Sequence, residues 1–142
     1  MNQTSSILGL DIGSVRVGVS RAVWPDGIPV RLTVLTNDSD LSLNLAKLAE
    51  QENAGIVVAG LPRSLEGNET NQTKATLELI ERLRVELKLP IYLQDEAATS
   101  LKAEAELKTS GKAYLKEDID ALSAIYILED FINEHPGGSN LE

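Results

Sequence analysis

Three carboxylates sit where phosphodiester chemistry could be built. Asp11 lies in "ILGLDIGSVRVGVSRA", Ile7 to Ala22, which reads as strand, tight turn and strand. Alternation along a strand puts Ile7, Gly9, Asp11 and Gly13 on one face and Leu8, Leu10 and Ile12 on the other, a good core face. The two glycines flanking Asp11 on its own face are expected to leave room for ions and a phosphate. Glu96 falls just beyond the apolar run "IYL", at the strand end where open α/β sheets place ligands, and its neighbour Asp95 competes for the role. Asp120 precedes Ala124 and Leu128 on the sheet-facing side of the last helix, and Asp118 could substitute for it if the helix began slightly differently. Each acid also has a structural reading. Asp11 could bond backbone amides ahead of the bend. Glu96 and Asp120 could be first-turn acids favoured by the helix dipole. Brought to one face, the three would hold two magnesium or manganese ions. Such a pair activates a water and stabilises the leaving oxygen of a phosphodiester.

What the chain lacks narrows the alternatives. There is no cysteine, which removes disulfides and thiolate metal sites and is compatible with the cytoplasm. His135 is the only histidine and lies in the polar tail, which argues against a histidine metal cage or a Ser-His-Asp triad. Carboxylate ligands select a hard cation. The formal charge of −9 argues against broad nucleic-acid binding but leaves room for a local basic patch. No apolar run is long enough to span a membrane, and "MNQTSS" lacks the pattern of a secretory signal.

The hydrophobic pattern supplies the elements that must position these acids. Strands are expected over 7–13, 15–23 and Ile28 to Thr36. A helix follows on the stripe Leu41, Leu45, Leu48 and Ala49, capped by Asp38 or Asp40. "GIVVAG", Gly55 to Gly60, is a buried parallel strand, followed by a polar loop, "LPRSLEGNETNQT". Leu79, Ile80, Leu83 and Leu87 mark a helix that Pro90 stops. "IYL" is the last strand, "QDEAATS" leads into a helix to about Lys108, and the final helix runs from about Asp118 to Asn133. The order β-β-β-α-β-α-β-α-α predicts one α/β domain over 1–142, with a mixed sheet, helices on both faces and a tail that frays from about residue 134.

Four blocks give the chain a family resemblance. "LGLDIGSVRVGVS", "IVVAGLPRSLEGNET", "LPIYLQDEAATS" and "KEDIDALSAIYILEDFI" are similar, in order, to the first hairpin, the central strand and loop, the acid-ended strand and the final helix of the YqgF family of RNase H-like proteins. That family is described as Holliday junction resolvases or pre-16S rRNA nucleases. The resemblance implies an RNase H-like fold and a metal-dependent nuclease with Mg2+ or Mn2+ held by Asp11, Glu96 and Asp120. It implies maturation of the 16S rRNA precursor, with branched DNA as the alternative substrate, in a cytoplasmic monomer or homodimer that could act on ribosomal particles. Arg16 and Arg63 fall at positions suited to phosphate contacts, and Lys112 and Lys116 supply the basic residues before the last helix. The chain departs from the family pattern at Val15, where a lysine is usual, at Ala97, where an arginine is usual, and in the sparsely basic "GKAYLKED". All three departures remove positive charge, which predicts weak nucleic-acid affinity or reliance on a partner.

Two other classes suit parts of the sequence. An actin-like ATPase would use the D-x-G hairpin, but needs a second related domain. A non-catalytic RNA- or protein-binding module is favoured by the missing basic residues and opposed by the retained acids. Aromatic content is 4%, so base-stacking platforms are scarce.

Overall fold

Backbone pairing begins with the N-terminal hairpin, whose turn closes through the Gly13 N–H donating to the Arg16 carbonyl at 2.8 Å. The computed structural model describes residues 5–63, 71–97, 99–139 and 141. Its elements are β1 (Ser6–Ile12), β2 (Arg16–Val23), β3 (Val30–Thr36), α1 (Leu41–Gln51), β4 (Ala54–Arg63), α2 (Asn71–Leu87), β5 (Ile91–Ala97), α3 (Thr99–Ser110) and α4 (Lys116–Glu134), followed by a 3-10 turn, Pro136–Gly138. The strands form one sheet in the order β3-β2-β1-β4-β5. The β1–β2 and β2–β3 pairs are antiparallel, and β1–β4 and β4–β5 are parallel. This is the expected mixed α/β sheet.

Both faces of the sheet are covered. Leu8, Leu10, Ile12, Val17 and Val19 meet Leu41 and Leu45 of α1 and Ile80 and Leu83 of α2. Ile7, Ala22 and Val58 meet Ile127, Leu128 and Phe131 of α4 on the other side. The sequence pattern marks Leu8, Leu10 and Ile12 as the core face of β1. The structure buries Ile7 as completely, because a central strand with a helix layer on each side has no solvent face. α3 packs on α4, where the Tyr126 hydroxyl donates to Glu106 Oε1 at 2.6 Å.

Several boundaries move. β4 and β5 are longer than their apolar runs. Leu61, expected to begin the polar loop, pairs with Asp95; Pro62 pairs with Glu96 and Arg63 with Ala97. Ladder hydrogen bonds come from the backbone, so pairing continues where side-chain hydrophobicity no longer marks it. Glu96 is therefore inside β5 and not beyond it. β3 begins at Val30, two residues after the expected Ile28, and α4 begins at Lys116. Asp40 is the residue before α1 but its side chain makes no cap; Asp38 instead accepts the Asp40 N–H at 3.0 Å. In the tail, the Gly137 N–H donates to Asp26 at 3.1 Å and the His135 ring lies 4.4 Å from that of Phe131. Trp24 also packs against Phe131, as a strand-end residue should.

Candidate active site

Glycine spacing sets the position of the last helix. A Cβ at Gly9 would stand 2.5 Å from Leu128 Cγ and 2.6 Å from Ser20 Oγ, and one at Gly18 would collide with the backbone of Asp120. One at Gly60 would collide with the side chain of Ile127. Ser20 fixes the same approach by donating to the Ala124 carbonyl at 2.6 Å in the interior. The space beside Asp11 at Gly9 is thus filled by α4 and is not open to ions or phosphate, which corrects the sequence expectation. Glycines across three adjacent strands let a helix lie against the sheet with little side-chain thickness between.

That approach brings two of the acids together. Asp11 is paired with Gly18 across the hairpin, and the backbone of Asp120 rests on Gly18. Asp11 is half-buried, and its carboxyl is pushed up to about 7, first by loss of water on burial and second by the negative charge of Asp120. No hydrogen-bond or ion-pair partner for the Asp11 carboxylate is found among the described residues. A bound cation would compensate such a group.

Asp118 and Asp120 are separated by what they touch. Asp118 accepts the Leu115 N–H at 2.8 Å at the start of α4 and a hydrogen bond from Arg31 Nη1 at 2.9 Å. These hold its carboxyl below its ordinary value, the Leu115 amide contributing most. Asp118 is a helix-start acid tied to β3, and Asp120 is the one facing Asp11.

Arg16 occupies a position the sequence did not reveal. Its Nε donates to Asp120 Oδ2 at 2.8 Å and lies 4.0 Å from Glu117 Oε1. The bond to Asp120 is the main reason the guanidinium is held more firmly protonated than usual. The expected phosphate contact and the expected metal ligand are therefore partners of each other. Their separation of 104 positions along the chain hides such a pair from any local pattern.

The other candidates lie around this centre. Position 96 is at the C-terminal end of β5, two strands from β1, about 10 Å across the sheet at the usual strand spacing. The Glu96 side chain lies outside the described residues, as do those of Arg63, Thr99 and Ser100. Lys116 is exposed at the first position of α4, one turn before Asp120. Lys112 lies between α3 and α4 and lines a cleft of about 380 Å³ with Arg31, Tyr114 and Asp118. Among the described residues no group of three acid or histidine side chains is close enough to form a metal cage. No helix among them is long and apolar enough to cross a membrane.

Comparison with known proteins identifies the family and the fold. Residues 5–134 match the family described as RuvX, Holliday junction resolvase. A protein of Sulfurihydrogenibium sp. (strain YO3AOP1), named as a pre-16S rRNA nuclease, is 36% identical over 132 residues, covering 91% of this chain and 90% of its own length. One of Nitratidesulfovibrio vulgaris with the same name is 33% identical over 130 residues, covering 89% and 92%. Among solved structures, RuvC of T. thermophilus in complex with Holliday junction substrate superposes with a TM-score of 0.56 at 12% identity, covering 94% of this chain and 97% of that one. The Fowlpox virus resolvase in complex with Holliday junction DNA gives 0.53 at 11% identity, covering 91% and 97%. These two share the RNase H-like fold. The profile match extends over all five strands and through α4, where Asp11 and Asp120 meet, and the chain belongs to the RuvX family.

Proposed function

We propose that this protein is a metal-dependent nuclease that hydrolyses phosphodiester bonds in structured nucleic acid, with the 16S rRNA precursor as its substrate. The observation that carries this reading is the half-buried Asp11 carboxylate, beside Asp120 and without a cation among the described residues. The donor set fits a hard divalent ion: Asp11, Asp120 and Glu96 would supply only oxygen ligands to Mg2+ or Mn2+. When bound, such ions supply an activated water and charge stabilisation at the leaving oxygen. The chain's own residues do the rest. Gly18 sets the distance between β2 and α4 and so holds Asp120 beside Asp11. Arg16, at the start of β2, can exchange its bond to Asp120 for one to a substrate phosphate, a pairing that suits a guanidinium fork. The names of the relatives support pre-16S rRNA as the substrate class. With a net charge of −9, the chain would act on RNA presented by a ribosomal particle rather than capture it free in solution.

A second reading, a non-catalytic nucleic-acid-binding module, is favoured by one observation: Asp120 is already neutralised by Arg16. One experiment separates them. Wild type and Asp11→Asn are melted with and without Mn2+, and both are incubated with a 16S precursor RNA and a four-way DNA junction. Cleavage and a metal-dependent rise in Tm are expected in wild type alone. Absence of both from wild type would establish the module; cleavage of the junction alone would replace RNA by branched DNA as the substrate.

A further inference from the structure

On the opposite side of the sheet from Asp11, the tip of the β1–β2 hairpin and the first turns of α2 enclose a cleft of about 430 Å³. That is within the range of pockets that hold small ligands. Its floor is apolar: Ile12, Ala75 and Leu79. Its polar atoms come from Ser14, Asn37, Asn71, Thr76 and Arg82, and among the described residues no acidic side chain lines it, although acids outnumber bases 22 to 13 in the chain.

Thr76 and Arg82 are the groups best placed to meet a ligand. Thr76 is 3% exposed and lines the cleft, where its hydroxyl can donate or accept. Arg82 makes no ion pair among the described residues, whereas Arg84, two positions on, bonds Glu81 at 3.1 Å. Arg82 also lines an adjoining smaller cleft of about 80 Å³ together with Asp38 and Glu86. Asn37 is held in place, its amide donating to the Gly13 carbonyl at 2.7 Å, which leaves its Oδ1 to accept.

An apolar floor, hydroxyls and amides that donate and accept, and one cation together match a nucleotide taken out of its stack: base face, base edge and phosphate. We propose that this cleft binds one unpaired nucleotide of the nucleic-acid substrate. The proposal rests on the nuclease reading for its biological setting. Asp11 and Ile12 are consecutive residues with side chains on opposite faces of β1, so the occupant would lie at the same end of β1 as the phosphodiester at Asp11 but across the sheet from it. Thr76 and the two asparagines would read the base edge, and Arg82 would hold the phosphate.

The test uses the full chain without metal and needs no cleavage. AMP, GMP, CMP and UMP are titrated into 15N-labelled protein, with inorganic phosphate as a separate arm. Shifts are expected at Ser14, Asn37, Thr76 and Leu79 for at least one nucleotide, with phosphate alone perturbing only the surroundings of Arg82. Thr76→Val should weaken nucleotide binding about fivefold, the effect of one lost hydrogen bond, and Arg82→Gln about tenfold. Arg82 is exposed, so its variant carries the test should Thr76→Val fail to fold. An RNA hairpin with a single-nucleotide bulge should compete and a blunt duplex should not. Shifts identical with phosphate alone, shifts outside the cleft, binding unchanged in Arg82→Gln, or equal competition by the duplex would each overturn the proposal. Cleft binding in a protein that cleaves nothing would overturn the nuclease reading and leave the nucleotide site standing.

Discussion

Asp11 keeps its proton to about pH 7 because burial removes water from the carboxylate and Asp120 adds negative charge beside it. The unfolded chain releases the same proton near the ordinary value of 3.8. Between those values the folded state binds more protons, so the contribution of Asp11 to stability is full below 3.8 and is lost as pH rises through 7. Without metal, the Tm of wild type should therefore fall relative to that of Asp11→Asn between pH 5 and pH 8, on the order of one to two pH units either side of this titration. Thermal scans of both proteins in EDTA check it, and parallel curves would refute it. Arg16 gives a second residue-scale prediction, with opposite signs for two ligands. Arg16→Gln removes the cation held against Asp120. Calorimetry should show Mn2+ binding several-fold more tightly, while affinity for nucleic acid falls. A variant that lost both would instead mark Arg16 as a purely structural support of the hairpin.

At the scale of elements, the site depends on how closely α4 lies on the sheet. Three glycines are involved, and they are not equivalent. A Cβ at Gly18 meets the backbone of Asp120 and Ala121, which can move only by lifting the helix. A Cβ at Gly60 meets the Cδ1 end of Ile127, which can change rotamer. Gly18→Ala should cost about 1–3 kcal/mol or more, the usual range for overpacking, and Gly60→Ala should sit at the low end of it. Urea denaturation of the two variants measures the difference. Gly18→Ala should also relax Asp11 toward an ordinary carboxylate, because lifting α4 takes Asp120 away and admits water. Equal destabilisation by the two alanines would show that α4 adjusts as a rigid body.

Across the whole molecule, charge opposes the proposed substrate. The net charge is −9, and the basic residues around the site are few: Arg16, Arg31, Lys112 and Lys116, with Arg63 at the end of β4. If about three or four of these neutralise phosphates, the slope of log K against log salt for single-stranded RNA should be only about −2 to −3. Val15 is 60% exposed at the hairpin tip, beside Arg16. Val15→Lys should strengthen RNA binding several-fold at low salt and show no advantage at high salt, because the added contact is electrostatic. Filter binding across a salt series tests both statements. A steep slope in wild type would mean that a basic surface lies elsewhere on the molecule.

Much of the architecture was legible in the sequence, because periodicity reports which face of an element is buried. The alternation of Leu8, Leu10 and Ile12, the Leu41–Leu45 stripe and the repeat from Ala121 through Leu128 to Ile132 each correspond to an observed strand or helix. The motif order was enough to identify the family; Asp120 could be singled out because a carboxylate on a core-facing stripe needs a reason, and Asp11 because two glycines flank it on its own face of the strand. Other features were decided only by tertiary structure. Strand pairing past Gly60 and past Leu93 relies on backbone hydrogen bonds, which leave no mark on side-chain hydropathy. Whether Gly9 opened a space or closed one depended on the helix that came to fill it. Asp118 and Asp120 are nearly indistinguishable by spacing; Leu115 and Arg31 claim the first, and Arg16 with Asp11 the second. The sequence by itself determined which residue types were available and how each would face within its own element. The fold decided which of them meet, because burial in the packed structure and the charge of Asp120, more than a hundred residues further along the chain, together keep Asp11 protonated.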